Sequence, residues 1–536
     1  MDTFTQLLSF LTLPLVLYYV ITTLVRRYRP KRLYVCPLDS QSDAYTSLLP
    51  VDFYTKPQQP GNNDGGYIYP SDSTTVLEQL RTVVATLHSQ QALTSLDPHN
   101  LIDLHERLAY TNSNDLVNWF TVQFNLFAGS ISALGTATHA TLVKDARELK
   151  KLGCFALTEK NAGVLSGLLC DTIAYYNQDT KKIVIYTPTD DAKKCWISYA
   201  GNNEIEYAVV FAKWAQTNAN NDSKQASVNT SIGKLFLTPH VVATVVKIRN
   251  NGTVLPGVRI EECYTRSDFR SNSFGTLTFT EFSAEPESLL NRYCSLDTTT
   301  GTLQVDDCYP KLFFKLSNRL LVGRLCLSAT AIVCAKMVLQ LVTKKVYNSK
   351  RRQFSYITDH LQLMQQQICE MDYYFHRFIK RFKIDPSTSV DIEELLERYI
   401  DEILLIKAYV PPLCRNIVAK CRELFGAESL LTHTRMIESH ASCYANCLAE
   451  GDSVVMAQAF VGQCMRKYKH MSLRNWRLLW LMMKILLVVP AHKRISYINA
   501  HQTEVMAVFQ QIADGIFQNQ GIRSDLHSVP VPTAVH

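Results

Sequence analysis

The sequence predicts an α+β fold in which an N-terminal α-helical domain, a central β-domain and a C-terminal α-helical bundle follow one another, preceded by one transmembrane helix. Three observations carry this. Apolar residues recur at helical spacing between about 74 and 150, the period changes to two between about 151 and 295, and long helical runs return from about 310 to 470. At 536 residues the chain exceeds the roughly 250 to 300 residues that one core sustains, so several packed domains are expected. The expected bounds are 1–32 for the anchor and its basic flank, 33–150 for a linker and the first helical domain, and 151–300 for the β-domain. The bundle then occupies 301–470 and a helical extension and tail 471–536.

The anchor comes first. Leu7 to Val25 carries no charge, and a helix of that length spans roughly 28 Å, close to a bilayer core. Only Asp2 precedes it, whereas Arg26, Arg27, Arg29, Lys31 and Arg32 follow, a flank that stays on the side of insertion. A cleaved secretory signal begins with basic residues and ends on small ones, unlike this acidic start and Arg-rich exit; a buried core helix is the other reading. The body is therefore expected to face the cytosol or a matrix. The mitochondrial inner membrane is the favoured location, with a peroxisomal or other organelle membrane as the alternative. The segment Trp476 to Pro490, apolar but containing Arg477 and Lys484, reads as a buried or interfacial helix.

A linker rich in Pro, Gly and Asn, Lys56 to Gly66, separates the anchor from the first helical domain. That domain opens with Val76, Leu77, Leu80, Val83, Val84 and Leu87 at helical spacing. Lys182 to Tyr186, Ala208 to Ala212, Val241 to Ile248 and Thr276 to Phe282 then read as strands, and Gln216 to Ser231 as a surface loop. Leu320 to Tyr347 and Ile392 to Leu424 read as long helices.

Composition narrows the function classes. A net charge of +7, much of it beside the apolar N-terminus, speaks against a nucleic-acid-binding protein. The 15 cysteines are scattered without a CxxC pair, which reads as free thiols in a reducing compartment. His433, His440, Cys443 and Cys447 lack the tight paired spacing of zinc ligands, and no metal is expected.

Several spaced motifs resemble the acyl-CoA oxidase and acyl-CoA dehydrogenase family. Gly153 to Glu159 (GCFALTE) is similar to the opening of that family's β-domain. Tyr186 to Lys194 followed by Trp196, the stretch His240 to Gly257, and Leu289 to Tyr293 continue the likeness in order. Gly323 and Arg324 precede a long helix expected to run to Arg351, Arg352, Gln353 and Phe354, which resembles a flavin-contact motif. Cys421 to Leu424 with Gly426 looks like a Gly-rich adenine-side turn, and Glu450, Gly451 and Asp452 resemble the turn that bears the family's catalytic carboxylate.

The resemblance implies FAD as cofactor and α,β-oxidation of an acyl-CoA thioester. A carboxylate removes the proton beside the thioester while a hydride leaves the adjacent carbon, so Glu450 is the implied base. Thr158 and Trp196 are implied beside the isoalloxazine ring. Arg352 and Gln353 are implied at the phosphates, reached across a dimer interface, with Gly426 and Asp452 completing the cofactor-side residues. A homodimer or a place in a larger membrane complex follows from the same likeness.

The departures imply a second reading. Lys160, Asn161, Ala162 and Gly163 stand where the family has Gly-His-Gly-Ser, and Phe425, Ala427 and Glu428 crowd the adenine-side turn, Glu428 adding negative charge beside phosphates. On that reading the chain is a catalytically eroded structural or accessory subunit of a mitochondrial membrane complex.

Overall fold

A computed structural model of the chain describes residues 73–467 apart from 112, 164–169, 217–226, 232, 263–270, 308–310, 383–395 and 397. The expected anchor, the linker, the Trp476 to Pro490 segment and the tail lie outside the described residues.

The first helical layer forms where the apolar stripe requires it. In α1 (Ser73–Ser89) the six predicted positions, Val76 to Leu87, are all buried. Helix α2 (Pro98–Ala109) begins with an Asp97 cap whose carboxylate accepts from the Asn100 N–H at 2.9 Å, with Pro98 in the first turn, where a missing N–H costs nothing. Helix α3 (Asn114–Phe120) passes into a π-helical stretch (Thr121–Ala128) and on into α4 (Gly129–Leu134), and α5 (Ala140–Arg147) closes the layer. The π stretch packs Phe124 and Phe127 inward. The Phe127 ring lies on β1 (Gly153–Ala156), where any side chain at Gly153 would overlap it.

The central region is a seven-stranded sheet, a three-stranded one and two short pairs, β8 (Arg249–Asn250) with β9 (Thr253–Val254) and β13 (Cys294–Asp297) with β14 (Thr302–Val305). The larger follows the order β12 (Phe282–Ala284), β3 (Lys182–Tyr186), β2 (Ile173–Asn177), β5 (Tyr207–Gln216), β7 (Gly233–Lys247), β6 (Ser227–Thr230), with β1 also paired to β5. Strand β5 is parallel to β1 and β2 and antiparallel to β7, and its almost continuous burial is what a two-sided core strand requires. The smaller sheet joins β10 (Val258–Glu262), β11 (Gly275–Phe279) and β4 (Lys194–Ile197).

Two expectations are corrected. The loop expected over Gln216 to Ser231 contains β6, which pairs with β7 through the turn between Thr230 and Gly233, whose φ of 110° suits glycine. The strand expected over Thr276 to Phe282 is split between the two sheets, because Glu281 adopts a left-handed φ of 48° and turns the chain from β11 into β12.

Helices α6 (Lys311–Leu316), α7 (Arg319–Tyr347), α8 (Ser355–Arg381), α9 (Ile400–Phe425), α10 (Met436–Leu448) and α11 (Ser453–Lys467) form the bundle. Among the described residues α7 alone is long and apolar enough to cross a membrane, yet 83% of its most apolar window is buried by the protein itself. It is the central core helix, packed by α2, α8, α9 and α10. The run expected to continue into Arg352 and Gln353 instead stops at Tyr347. A separate 3-10 turn, Lys350–Gln353, restarts on a Ser349 hydroxyl that accepts from the Arg351 N–H.

A charge-balanced cluster ties the first helical layer to the bundle. Lys336 on α7 meets Asp372 on α8 at 2.7 Å, and His376 on α8 bridges Asp372 and, at 3.2 Å, Glu106 on α2. Burial lowers the His376 pKa, but the two carboxylates outweigh it and hold the imidazolium up to about 10. Because the folded value lies above the unfolded one of about 6.5, this stabilisation is complete below pH 6.5 and disappears as pH rises through 10. His376→Gln should accordingly melt lower than wild type at pH 6 and level with it above pH 10. A constant difference across that range would show that the charge on His376 is immaterial.

Candidate active site

The turn between α10 and α11 is built around two consecutive left-handed residues, Glu450 with φ 56° and Gly451 with φ 110°. A non-glycine residue holds that conformation only where its surroundings enforce it. Here they do: Arg324 on α7 donates through Nε to the Glu450 carbonyl at 2.9 Å, and the Asp452 carboxylate accepts from the Val454 N–H at 2.8 Å, capping α11. Ser453 Oγ fastens the same turn to the carbonyls of Lys407 on α9 and Cys447 on α10, both at 3.1 Å. Asp452, expected among the cofactor-side residues, is thus engaged as a helix cap.

The Glu450 side chain is driven down onto α7. Its carboxylate occupies the space that a side chain at Gly323 would need, so glycine at 323 is what admits it. Both carboxylate oxygens are buried and neither has a hydrogen-bond partner among the described residues. Burial pushes the Glu450 pKa up to about 8, and the positive charges of Lys407, Arg324 and Arg319 only partly offset it. Lys407, fully buried and donating to the Asn446 carbonyl, is itself pushed down by burial. A protonatable carboxyl near neutrality, desolvated and free of structural hydrogen bonds, is equipped for proton transfer.

Thr158 and Trp196 come together at the edge of the β-domain, where the Cys195 N–H donates to the Thr158 carbonyl at 2.8 Å. Their neighbours explain why. Lys194 and Glu159 form a buried ion pair at 2.7 Å, and the Glu159 carboxylate also accepts the N–H groups of Asp171 and Thr172 at 2.7 and 2.9 Å. Burial raises the Glu159 pKa, but Lys194 and those two amides lower it by more. Trp196 has a left-handed φ of 61° and is 65% exposed, its ring touching Phe274 edge-on.

Arg352 and Gln353 lie exposed on the 3-10 turn, which meets the end of α9 through Arg351. The Arg351 Nη1 group donates to the carbonyls of Leu424 and Phe425 at 2.9 and 3.0 Å, beside Gly426 with its φ of 84°. The negative charge expected from Glu428 is balanced: Lys345 pairs with it at 2.8 Å and lies 3.8 Å over the Phe425 ring. The turn is crowded, as Phe425 and Glu428 suggest, but carries no excess of negative charge. His440 faces Arg422 at 3.2 Å, and Cys443 and Cys447 are buried in α10.

Sequence reasoning missed Lys194 with Glu159, Arg319 and Lys407. The available signal was clearest for Lys407, a lone cation in the apolar run Ile403 to Val410, whereas Lys194 follows Lys193 in a polar stretch and offered none.

No family model matches the chain. The peroxisomal acyl-coenzyme A oxidase 2 of Arabidopsis thaliana is 26% identical over 366 residues, covering 65% of this chain and 50% of that protein. The chain spans about half the length of the curated relatives it matches. Among solved structures, acyl-CoA oxidase 1 from Yarrowia lipolytica superposes with a TM-score of 0.66 at 18% identity, covering 84% of this chain and 72% of that one. Acyl-CoA oxidase-2 of Caenorhabditis elegans, solved with FAD, ascaroside-CoA and ATP, gives 0.65 at 14% identity, covering 89% and 75%. The chain is a divergent relative of the acyl-CoA oxidases and has the fold of acyl-CoA oxidases and dehydrogenases. The plant and human relatives are named as peroxisomal, which corrects the expected mitochondrial inner membrane.

Two outcomes follow from the geometry. Lys194→Met strands a buried carboxylate and should cost about 3–5 kcal/mol in chemical denaturation; a loss under about 1 kcal/mol, the range of exposed pairs, would mean the pair is dispensable. For Glu450 the folded pKa exceeds the unfolded one, so ionisation destabilises the fold progressively from pH 5 to pH 8. Glu450→Gln should gain on wild type over that window, by at most about 1.4 kcal/mol per pH unit, and a pH-independent difference would contradict the buried carboxyl.

Proposed function

We propose that this divergent relative of the acyl-CoA oxidases is a flavoprotein that oxidises an acyl-CoA thioester, with Glu450 as the base. The observation that carries the reading is the Glu450 carboxylate: desolvated, unbonded, and held over α7 by a turn fixed at Gly323 and Arg324. Its cationic surroundings favour the ionised form needed to take the proton beside the thioester, while burial keeps that proton transferable near neutral pH.

The residues present fit FAD. Trp196 offers an exposed aromatic face next to Thr158, whose hydroxyl makes no hydrogen bond among the described residues. Arg352 and Gln353 are exposed, and a planar guanidinium suits phosphate; with Gly426 they would hold the phosphate and adenine side, across a dimer interface. FAD, when bound, supplies the hydride acceptor. Glu450 takes the proton, Arg324 keeps its backbone in place, and Lys407 and Arg319 offset the charge that ionisation brings into the core.

The alternative is an eroded scaffold or accessory subunit. It is favoured by the crowded turn in which Arg351 and Lys345 occupy the surroundings of Gly426, and by the replacement of Gly-His-Gly-Ser with Lys160 to Gly163. Purified protein separates the two. A flavoprotein carries flavin absorbance that an acyl-CoA bleaches, and Glu450→Gln should retain the flavin while slowing bleaching by about 10²- to 10⁴-fold. The wild-type rate should rise with pH through about 8, as Glu450 ionises. Protein that neither copurifies with FAD nor takes it up would favour the scaffold, and unimpaired bleaching in Glu450→Gln would move the base elsewhere.

A further inference from the structure

Arg319, the first residue of α7, is 4% exposed. Its guanidinium lies flat against Gly129, 2.6 Å from where a Cβ would stand. Nε donates to the Asn125 carbonyl at 3.3 Å and Nη1 to the Leu96 carbonyl at 3.1 Å, while the Asn125 amide returns a hydrogen bond to the Arg319 carbonyl at 3.2 Å. The guanidinium is therefore fixed in place. Its Nη2 group has no partner, nor has the Asn125 side-chain oxygen.

No carboxylate among the described residues comes within ion-pairing distance of Arg319, Arg324 or Lys407. The Coulombic partner these three cations share is Glu450, with Asp97 also acting on Arg319 and Asp452 on Lys407 from beyond ion-pairing distance. The region thus holds more buried positive than negative charge, and uncompensated buried charge is costly. Arg319 also stands at the N-terminal end of a 29-residue helix, the end that disfavours a cation. Elsewhere in the interior Lys194 is met in contact by Glu159 and Lys336 by Asp372, whereas Arg249, like Arg319, bonds backbone carbonyls.

Arg319 and Gly323 are four residues apart on α7 and so share one face, one turn from each other. The Glu450 carboxylate rests on Gly323 and is a Coulombic partner of Arg319, whose unpaired Nη2 group is packed beside Gly129. We propose that Arg319 is a specificity-determining residue that binds the distal carboxylate of a short dicarboxylic acyl group whose reacting carbons lie against Glu450. The inference rests on the acyl-CoA reading above. A carboxylate supplies the missing negative charge and accepts from Nη2, an interaction strengthened by desolvation. An unsubstituted alkyl chain would leave the cation as it is.

Calorimetric titration of the purified full-length protein with adipyl-CoA and with hexanoyl-CoA tests this. Adipyl-CoA should bind at least about tenfold more tightly, and Arg319→Met should abolish the preference, whereas Arg319→Lys should keep part of it. Equal or tighter binding of hexanoyl-CoA by the wild type overturns the proposal whether or not the variants fold. So does a preference that survives in Arg319→Met. Binding of neither ester overturns the acyl-CoA reading itself; tight binding of hexanoyl-CoA alone leaves that reading standing and removes only the role of Arg319.

Discussion

Helix α7 has almost no face for water, and the rest of the described structure is arranged to meet that constraint. Its small residues, among them Gly323, Ala329, Ala331 and Ala335, let α2, α8, α9 and α10 pack around it. The same burial creates the site. A helix this enclosed accepts a carboxylate only where a side chain is missing, and Gly323 is that gap. The left-handed turn at Glu450 and Gly451, the Arg324 clamp and the Asp452 cap all serve to deliver one side chain into it.

Buried charge in this protein falls into two kinds. Glu159 with Lys194, and Glu106 with Lys336, Asp372 and His376, are paired in ionic contact, so the perturbed ionisation of Glu159, Lys336, Asp372 and His376 reports architecture. Glu450 and Arg319 retain buried polar atoms without partners. Native interiors leave few such atoms unmet, and where they gather, a ligand or chemistry is the economical explanation. That contrast, rather than the size of any single shift in pKa, separates the candidate active site from the ionic ties that join the layers.

The cofactor-side residues illustrate how far motif order carries. The segments that carry Thr158 and Trp196 are joined by the Glu159–Lys194 pair and the Cys195 N–H bond to the Thr158 carbonyl, and Arg351 joins the 3-10 turn to the end of α9 beside Gly426. Motif order implied a cofactor role for Thr158, Trp196 and Gly426. It did not reveal that Arg351 is spent on capping α9, that Asp452 caps α11, or that Glu428 is neutralised by Lys345.

Local chemistry was legible along the chain wherever it repeats. The stripe from Val76 to Leu87 and the strand Lys182–Tyr186 could be read directly, because periodicity acts between near neighbours, while Glu450 was singled out only by the family resemblance. What depended on distant partners could not. The split of β11 from β12 at Glu281, the insertion of Glu450 over Gly323, and the unpaired edge of Arg319 each arise from contacts spanning tens to hundreds of residues. A lone Arg or Lys in an apolar run looks alike whether it reaches solvent or is sealed inside. Only packing decides which, since desolvation is a property of the whole surroundings and not of the residue.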